Sequence, residues 1–381
     1  CPYKMKKIYD LIVIGAGLSS LMFLKQYLKK TNDQKILLLE QKDSINSDQT
    51  FCVWEGPGLP NVTDEFQLNP KKIWKKIVLN SLNYEIKRDT QLYSYVCFDG
   101  KEALESLSSS CNEKVTTIKN EKVTQIDSEN NIQVVTTNSN THFGKIIVDS
   151  RNNIKQQEIK SPLIHQAFVG SEIELTKERF NPDEVTLMSF IRKKNQIEFV
   201  YILPFTKKRA LVETTVFSIE PELKAIKNTH KEILKTYEPY KVIRQEKAII
   251  PMAVISPVRE KGILKIGIGG GMMRASSGYS MRRIANWSIK MGDYRLNENN
   301  ISTFRYHSNK WLNYLDKIFL NVILKYPEKG PYLFMMLFRR AKMPPLIRFL
   351  SDKPSGADLI NILLCMPKRL MLKGLAKKKN D

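Results

Sequence analysis

The stretch 9–30, YDLIVIGAGLSSLMFLKQYLKK, followed by 35–43, KILLLEQKD, decides the fold. It reads as a buried strand, a glycine turn, an amphipathic helix and a second buried strand ending at Glu40. That order is a βαβ unit of ordinary length. The turn is Gly15-x-Gly17-x-x-Ser20. Gly15 permits the tight turn, and Gly17 lets the backbone approach a pyrophosphate at the helix N-terminus. Ser20 takes the third glycine position and is small enough for close helix–strand packing. Glu40 stands where a carboxylate can hydrogen-bond a ribose hydroxyl. A glycine pattern alone is weak evidence, but here strand, helix, second strand and terminal acid agree.

A unit of this type holds FAD or NAD(P), and the turn alone does not choose between them. Later segments add to it. KIIVDSRNN (145–153) is a short strand ending in Asp149-Ser150-Arg151. The segment 262–291, GILKIGIGGGMMRASSGYSMRRIANWSIKM, reads as a strand, a second glycine turn with Gly270 and Gly271, and a helix beginning near Gly278. The turn offers further backbone N–H groups to a phosphate or the edge of a flavin ring. INSDQTFCVWEGPG (45–58) reads as a turn-rich loop. Between the glycine turns, residues 155–250 are strand-rich and suggest a mixed or antiparallel sheet. The fold class is therefore α/β: a Rossmann-type FAD/NAD(P)-binding fold with an inserted β substrate domain and a helical C-terminal region. The nucleotide domain is discontinuous over 8–80, 105–155 and 250–300. The substrate domain takes 80–105 and 155–250, and a basic amphipathic region takes 301–381.

The chain has 381 residues, of which 61 are Lys or Arg and 39 Asp or Glu, a formal charge of +22. Such a surface attracts polyanions, either nucleic acid or anionic lipid. No helix-turn-helix, RRM or zinc signature is present and the lysines are spread along the chain, so nucleic acid is set aside. Five cysteines without a CxxC pair suggest a reducing compartment and no metal site. The longest apolar stretch (11–24) is too short to span a bilayer and has no cleavage site after it. Met5-Lys6-Lys7 resembles a natural start, and CPYK before it is given no structural role. In the tail, WLNYLDKIFLNVILKY (311–326) carries an apolar stripe of Trp311, Tyr314, Leu315, Ile318, Phe319, Val322 and Ile323. It is followed by Arg339, Arg340, Lys342, Arg348, Lys368, Arg369, Lys373 and Lys377 to Lys379 among apolar residues. Basic amphipathic segments lie on anionic membranes or pack inward as a helical subdomain, and both readings stay open.

RALVETTVF (209–217) reads as a strand, and alternation puts Glu213 on the face of Leu211, Thr215 and Phe217. A carboxylate on an apolar face is either at a wet sheet edge or there for chemistry.

The chain resembles the bacterial lycopene β-cyclases, most closely the Bacteroidetes type, over about residues 8 to 370. The likeness is carried by DLIVIGAGLSS, SDQTFCVWE, VDSR, HQAFVGSEIE with FNPDEVTLM, FVYILPF with ALVETTVFS, IIPM, IGIGGGMMRASSGYSMRRI, FLNVIL and FLSD, in family order. The resemblance implies an FAD fold related to flavin monooxygenases and geranylgeranyl reductases. It also implies acid-catalysed, non-redox closure of the ψ-ends of lycopene, giving γ- and then β-carotene. The family's catalytic acid maps to Glu213, and the second acid of the plant motif maps to Thr214. Reduced FAD would be held by Gly15, Gly17, Ser20, Glu40, Arg151, Gly270, Gly271, Gly278 and Tyr279, with NAD(P)H serving as reductant. The expected partner is a carotenoid drawn from the membrane, met at its cytoplasmic face by a peripheral enzyme. Phe51 stands where relatives often have Trp, and Ser189 where they have Asp. The alternatives on this scaffold are a monooxygenase or prenyl-chain reductase, and a non-catalytic carotenoid or flavin binder.

Overall fold

The computed structural model describes residues 7–375 apart from 32, 83, 112 and 113. The start at 1–6 and the basic Lys377 to Lys379 lie outside the described residues. Three sheets organise the chain. In the first, Ile8–Ile14 lies between Ile36–Leu39 and Thr141–Asp149, all parallel, with Val115–Ile118 beyond Ile36–Leu39. Ile263–Lys265 joins the C-terminal half of Thr141–Asp149 in parallel, and Ile132–Thr137 and Val123–Glu129 extend the sheet antiparallel. Ile36–Leu39 is buried along its whole length, as expected of a strand covered on both faces. The helix Leu18–Tyr27 packs on Met281–Met291, burying nine of its ten residues. The Rossmann-type reading of the opening stretch is what the structure shows.

The second sheet has seven strands in the order Tyr240–Met252, Ile164–Leu175, Arg209–Ser218, Ile197–Pro204, Glu184–Ile191, Lys76–Ser81 and Tyr84–Asp89. All neighbours are antiparallel except Glu184–Ile191 with Lys76–Ser81, so the sheet is mixed. Most of it is inserted in sequence between the first-sheet strands Thr141–Asp149 and Ile263–Lys265. One face carries the helix Leu223–Lys235, and the other packs on the third sheet and the C-terminal helices.

The third sheet corrects one expectation. Thr50–Glu55, read as loop, is a strand paired with Ser94–Asp99, which also pairs Lys72–Trp74. Thr50, Phe51, Cys52, Val53 and Trp54 are β-formers, but turn residues on both sides hid the run. The helix after the second glycine turn begins at Met281 rather than at Gly278.

The C-terminal helices are Lys310–Lys325, Gly330–Arg340, Met343–Leu350, Gly356–Cys365 and Lys368–Leu375. Among the described residues no helix is long and apolar enough to cross a membrane. The apolar stripe of Lys310–Lys325 is only partly inward. Val322 and Ile323 are buried, while Trp311 and Tyr314 are exposed. The packed face runs instead through Leu312, Asp316 and Leu320. Asp316 is there because Arg274 Nε bonds its two carboxylate oxygens at 2.9 and 2.8 Å and Ser276 Oγ bonds one at 2.8 Å. Arg274 Nη1 also reaches the Phe349 carbonyl at 2.7 Å and Asp352 at 3.0 Å, and Arg283 bonds the same Asp352. The segments MMRASSGYSMRRI and FLSD are thus tied to each other and to the tail by buried ion pairs.

Candidate functional site

An open cleft of about 1370 Å³ begins at the first glycine turn. Gly15, Gly17, Glu40 and Arg151 line it, with Gly267 and Ser280 from the second turn and helix. Gly15 has φ of +85°, and a Cβ there would lie 2.6 Å from Ser150 Oγ, so the turn and the VDSR strand end meet only through glycine. A Cβ on Gly17 would meet nothing within 4 Å, which leaves the helix N-terminus open to a ligand. No side chain caps that helix. Its first N–H groups therefore keep the dipole's positive end available to an anion. The Glu40 carboxylate accepts from Ala16 N at 2.7 Å and from Lys42 N at 2.9 Å, holding the turn against the second strand.

The other residues named from sequence sit differently. Ser20 is fully buried behind the turn, with its Oγ unpartnered. Arg151 lines the cleft but turns its guanidinium to Asp149, at 2.9 Å from Nε and 2.8 Å from Nη2, and to the Val123 carbonyl. Gly270 and Gly271 are not in the cleft lining. A Cβ on Gly270 would strike Ile266 and the Lys265 carbonyl at 2.6 Å, and one on Gly271 the Ile255 carbonyl at 2.7 Å. Both give the turn its tightness. Gly278 has φ of +72°, and a Cβ there would lie 2.4 Å from Gln166 Oε1. Tyr279 is hydrogen-bonded through its hydroxyl to Tyr95 at 2.7 Å.

Glu213 lies on a central strand, Arg209–Ser218, between Ile164–Leu175 and Ile197–Pro204, and is only 7% exposed. The wet-edge reading is therefore excluded. Its carboxyl accepts from Thr215 Oγ1 at 2.7 Å. Burial first, and then repulsion from the Glu246 carboxylate, hold it well above the usual carboxylate range; the Thr215 hydroxyl offsets this only in part. Its face of the sheet carries Leu211 and Phe217, in one core with Trp54, Tyr95, Phe199 and Phe334. Phe217 is edge-on to Phe199 at 5.4 Å. Tyr201, directly opposite Glu213, bonds Tyr95 at 2.9 Å and Cys52 Sγ at 3.4 Å, so three tyrosine hydroxyls form one chain in the core. Burial raises the phenol pKa of all three.

Thr214 faces the opposite way. Its hydroxyl bonds His230 Nδ1 at 3.0 Å, and Ser171 Oγ bonds His230 Nε2 at 2.9 Å, pinning the helix Leu223–Lys235 to the sheet. Burial holds the His230 pKa down at about 4. Strand alternation thus puts positions 213 and 214 in different compartments. Ser189 is half-buried on Glu184–Ile191, and Phe51 lines the cleft.

Sequence reasoning missed Glu246 and Gly170. Glu246 is 5% exposed and lines the cleft. Gly170 lies between it and Glu213, on the intervening strand. A glycine inside a strand marks close approach of neighbours, and that signal was available in HQAFVGSEIE.

Comparison with known proteins agrees with this architecture. Neoxanthin synthase of Solanum lycopersicum is 22% identical over 305 residues, 74% of this chain and 59% of that protein. The lycopene β-cyclase of Pantoea ananas is 19% identical, covering 73% of this chain and 72% of the other. The chain spans about three-fifths of the length of the plant relative. A flavoprotein/dehydrogenase structure from Cytophaga hutchinsonii superposes with a TM-score of 0.61 at 12% identity, over 97% of this chain and all of the other; that likeness is one of fold. The family model described as lycopene cyclase protein matches residues 10–376, and the chain belongs to that family.

Proposed function

We propose that the chain is a flavin-dependent lycopene β-cyclase in which Glu213 is the cyclising acid. The observation that carries the reading is the Glu213 carboxyl itself. It is buried on a central strand, its pKa is pushed up by that burial, and it faces an aromatic-rich apolar core. Protonating an alkene needs an undissociated acid in a dry place, and burial supplies both conditions. Glu213 would give its proton to the terminal double bond of the ψ-end. The resulting tertiary cation closes on an internal double bond, and loss of one proton completes the ring. One proton enters and one leaves, so the carotene keeps its composition.

The cleft fits a flavin dinucleotide. The open space over Gly17, the uncapped helix N-terminus and the turn held by Glu40 suit a pyrophosphate. Gly267 and Ile268 of the second turn and Ser280 add to the lining that would hold the flavin. Reduced FAD held by that turn and helix N-terminus, with NAD(P)H as its reductant, would supply negative charge able to stabilise a carbocation without net oxidation.

Expression in a lycopene-accumulating host, with chromatography of the pigments, tests the reading. Conversion to γ- and β-carotene is the expected result, and the ratio shows whether both ends close. Unchanged lycopene, with protein present and flavin bound, would move the assignment to a redox enzyme on this scaffold.

A membrane-dissolved substrate requires contact with lipid, and we place that contact on the C-terminal helices at the cytoplasmic face. Trp311, Ile360, Leu363, Leu364 and Leu372 are exposed there, with Lys310, Lys317, Lys368, Arg369 and Lys373 on the same helices. Vesicle co-sedimentation checks this. The protein is expected to pellet with phosphatidylglycerol vesicles and much less with phosphatidylcholine. The Ile360→Ser/Leu364→Ser variant should bind about tenfold more weakly or worse, each side chain contributing about 1.5–3 kcal/mol when fully buried. Protein left in the supernatant with anionic vesicles would remove the proposal.

A further inference from the structure

We propose that Glu246 is the positioning partner of the Glu213 acid, reached across Gly170, and that it links the buried carboxyl to the cleft. The inference rests on the reading of Glu213 as the cyclising acid. Four residues from four strands stand in register: Tyr201, Glu213, Gly170 and Glu246. Neighbouring strands are about 4.8 Å apart, so residues two strands apart are separated by about 10 Å of backbone and usually by a side chain. Here the intervening residue is glycine. A Cβ at Gly170 would lie 3.0 Å from Glu246 Cγ, 3.3 Å from Leu211 Cδ1 and 3.4 Å from Glu213 Cβ. The missing side chain leaves space between the two acidic side chains on this face of the sheet.

Glu246 is not free to lean elsewhere. Its Oε2 accepts from Thr50 Oγ1 at 2.9 Å and from Arg244 Nη1 at 2.7 Å. Arg244 is itself fixed by Nη2 to Thr50 Oγ1 at 2.5 Å and by Nε to the fully buried Glu172 at 2.7 Å. Glu172 also takes Lys71 at 2.9 Å and Arg209 at 2.6 Å. The groups facing Glu246 are therefore Arg244 on its own strand, Glu172 behind that arginine, and Glu213 beyond Gly170. From the third sheet come Thr50 and the thiol of Cys97. Only one of the two carboxyl groups touches the cleft: Glu246 lines it, and Glu213 is not among its lining residues.

Of the two carboxyl groups Glu213 is the inner and Glu246 the outer, and burial together with the nearby carboxylate opposes charge on the inner one. The inner member keeps the proton that the reaction uses. The outer member, anchored to Arg244, supplies the charge that keeps it there and gives the proton a path to the cleft.

The test is the pH profile of cyclisation by flavin-loaded protein acting on lycopene in liposomes. In Glu246→Gln the repulsion is gone, and the alkaline limb of kcat/KM should move to lower pH by about one unit or more. Gly170→Ala, which pushes the carboxyl groups apart without changing either, should move the limb the same way. Alkaline limbs that stay at the wild-type position in both variants overturn the inference. Glu213→Gln separates the two levels of the argument. Ring formation surviving in that variant overturns the reading beneath; its loss alongside unmoved limbs overturns the partnership alone.

Discussion

Replacing Glu213 by glutamine is expected to lower β-ring formation by about 10²–10⁴-fold, the range for removing a general acid. Glutamine keeps the shape and can still accept from Thr215 Oγ1, so the flavin content of the purified protein should match wild type. Stability should change in the opposite direction to activity. The folded-state pKa of Glu213 lies above its usual value of 4.5, because burial and then Glu246 oppose the charge. The folded protein therefore retains a proton that the unfolded chain releases above about pH 4.5. This contribution is fully present below that pH and is lost as pH rises toward the folded-state pKa. Glutamine has no proton to lose. The variant should melt at or above the wild-type temperature at pH 7, and the difference should vanish as pH falls toward 4.5. Undiminished ring formation with flavin bound would remove Glu213 from the mechanism. A variant melting well below wild type at pH 7 would show that the carboxyl is a structural hydrogen-bond donor.

The second large effect is on folding. Arg274 and Asp316 are each 1% exposed, and Asp316 takes both Arg274 Nε bonds and the Ser276 hydroxyl. Burial opposes the Arg274 charge, but Asp316 and Asp352 outweigh it and raise its pKa. Asp316→Ala should cost about 3–5 kcal/mol, the usual result of removing one member of a buried pair. Urea denaturation followed by tryptophan fluorescence would read it. The double variant Arg274→Met/Asp316→Leu should recover much of that loss, since no buried charge is stranded. A single-variant loss under about 1 kcal/mol would mean that Asp352 and the Phe349 carbonyl suffice to hold Arg274. The pairing also explains why two segments far apart in sequence, MMRASSGYSMRRI and FLSD, go together: Arg274 and Arg283 need Asp352, and Asp352 turns toward them at the end of Met343–Leu350.

Legibility followed the range of the interaction. The glycine turn, its flanking strands and Glu40 fall within about thirty residues, and each is required by local geometry: a positive φ, a close approach, a strand end. The alternation of RALVETTVF put Glu213 with Leu211 and Phe217 for the same reason. Thr50–Glu55 was lost because its pairing partner, Ser94–Asp99, is some forty residues away and the flanking turns dominate the window. The stripe on Lys310–Lys325 was read from apolar residues alone, so it did not include Asp316, which is buried against its charge partner Arg274.

The sequence by itself determined the dinucleotide-type turn, the class of sheet that follows it and the apolar face on which Glu213 stands, because backbone sterics and strand periodicity are local. Only the tertiary structure decided that Glu213 is on a central strand rather than an edge, that Thr214 faces His230, and that Glu246 stands in register with Glu213 across Gly170. Burial and the approach of two charges depend on which strands become neighbours. That choice is made by the packing of the whole chain, and no window of sequence contains it.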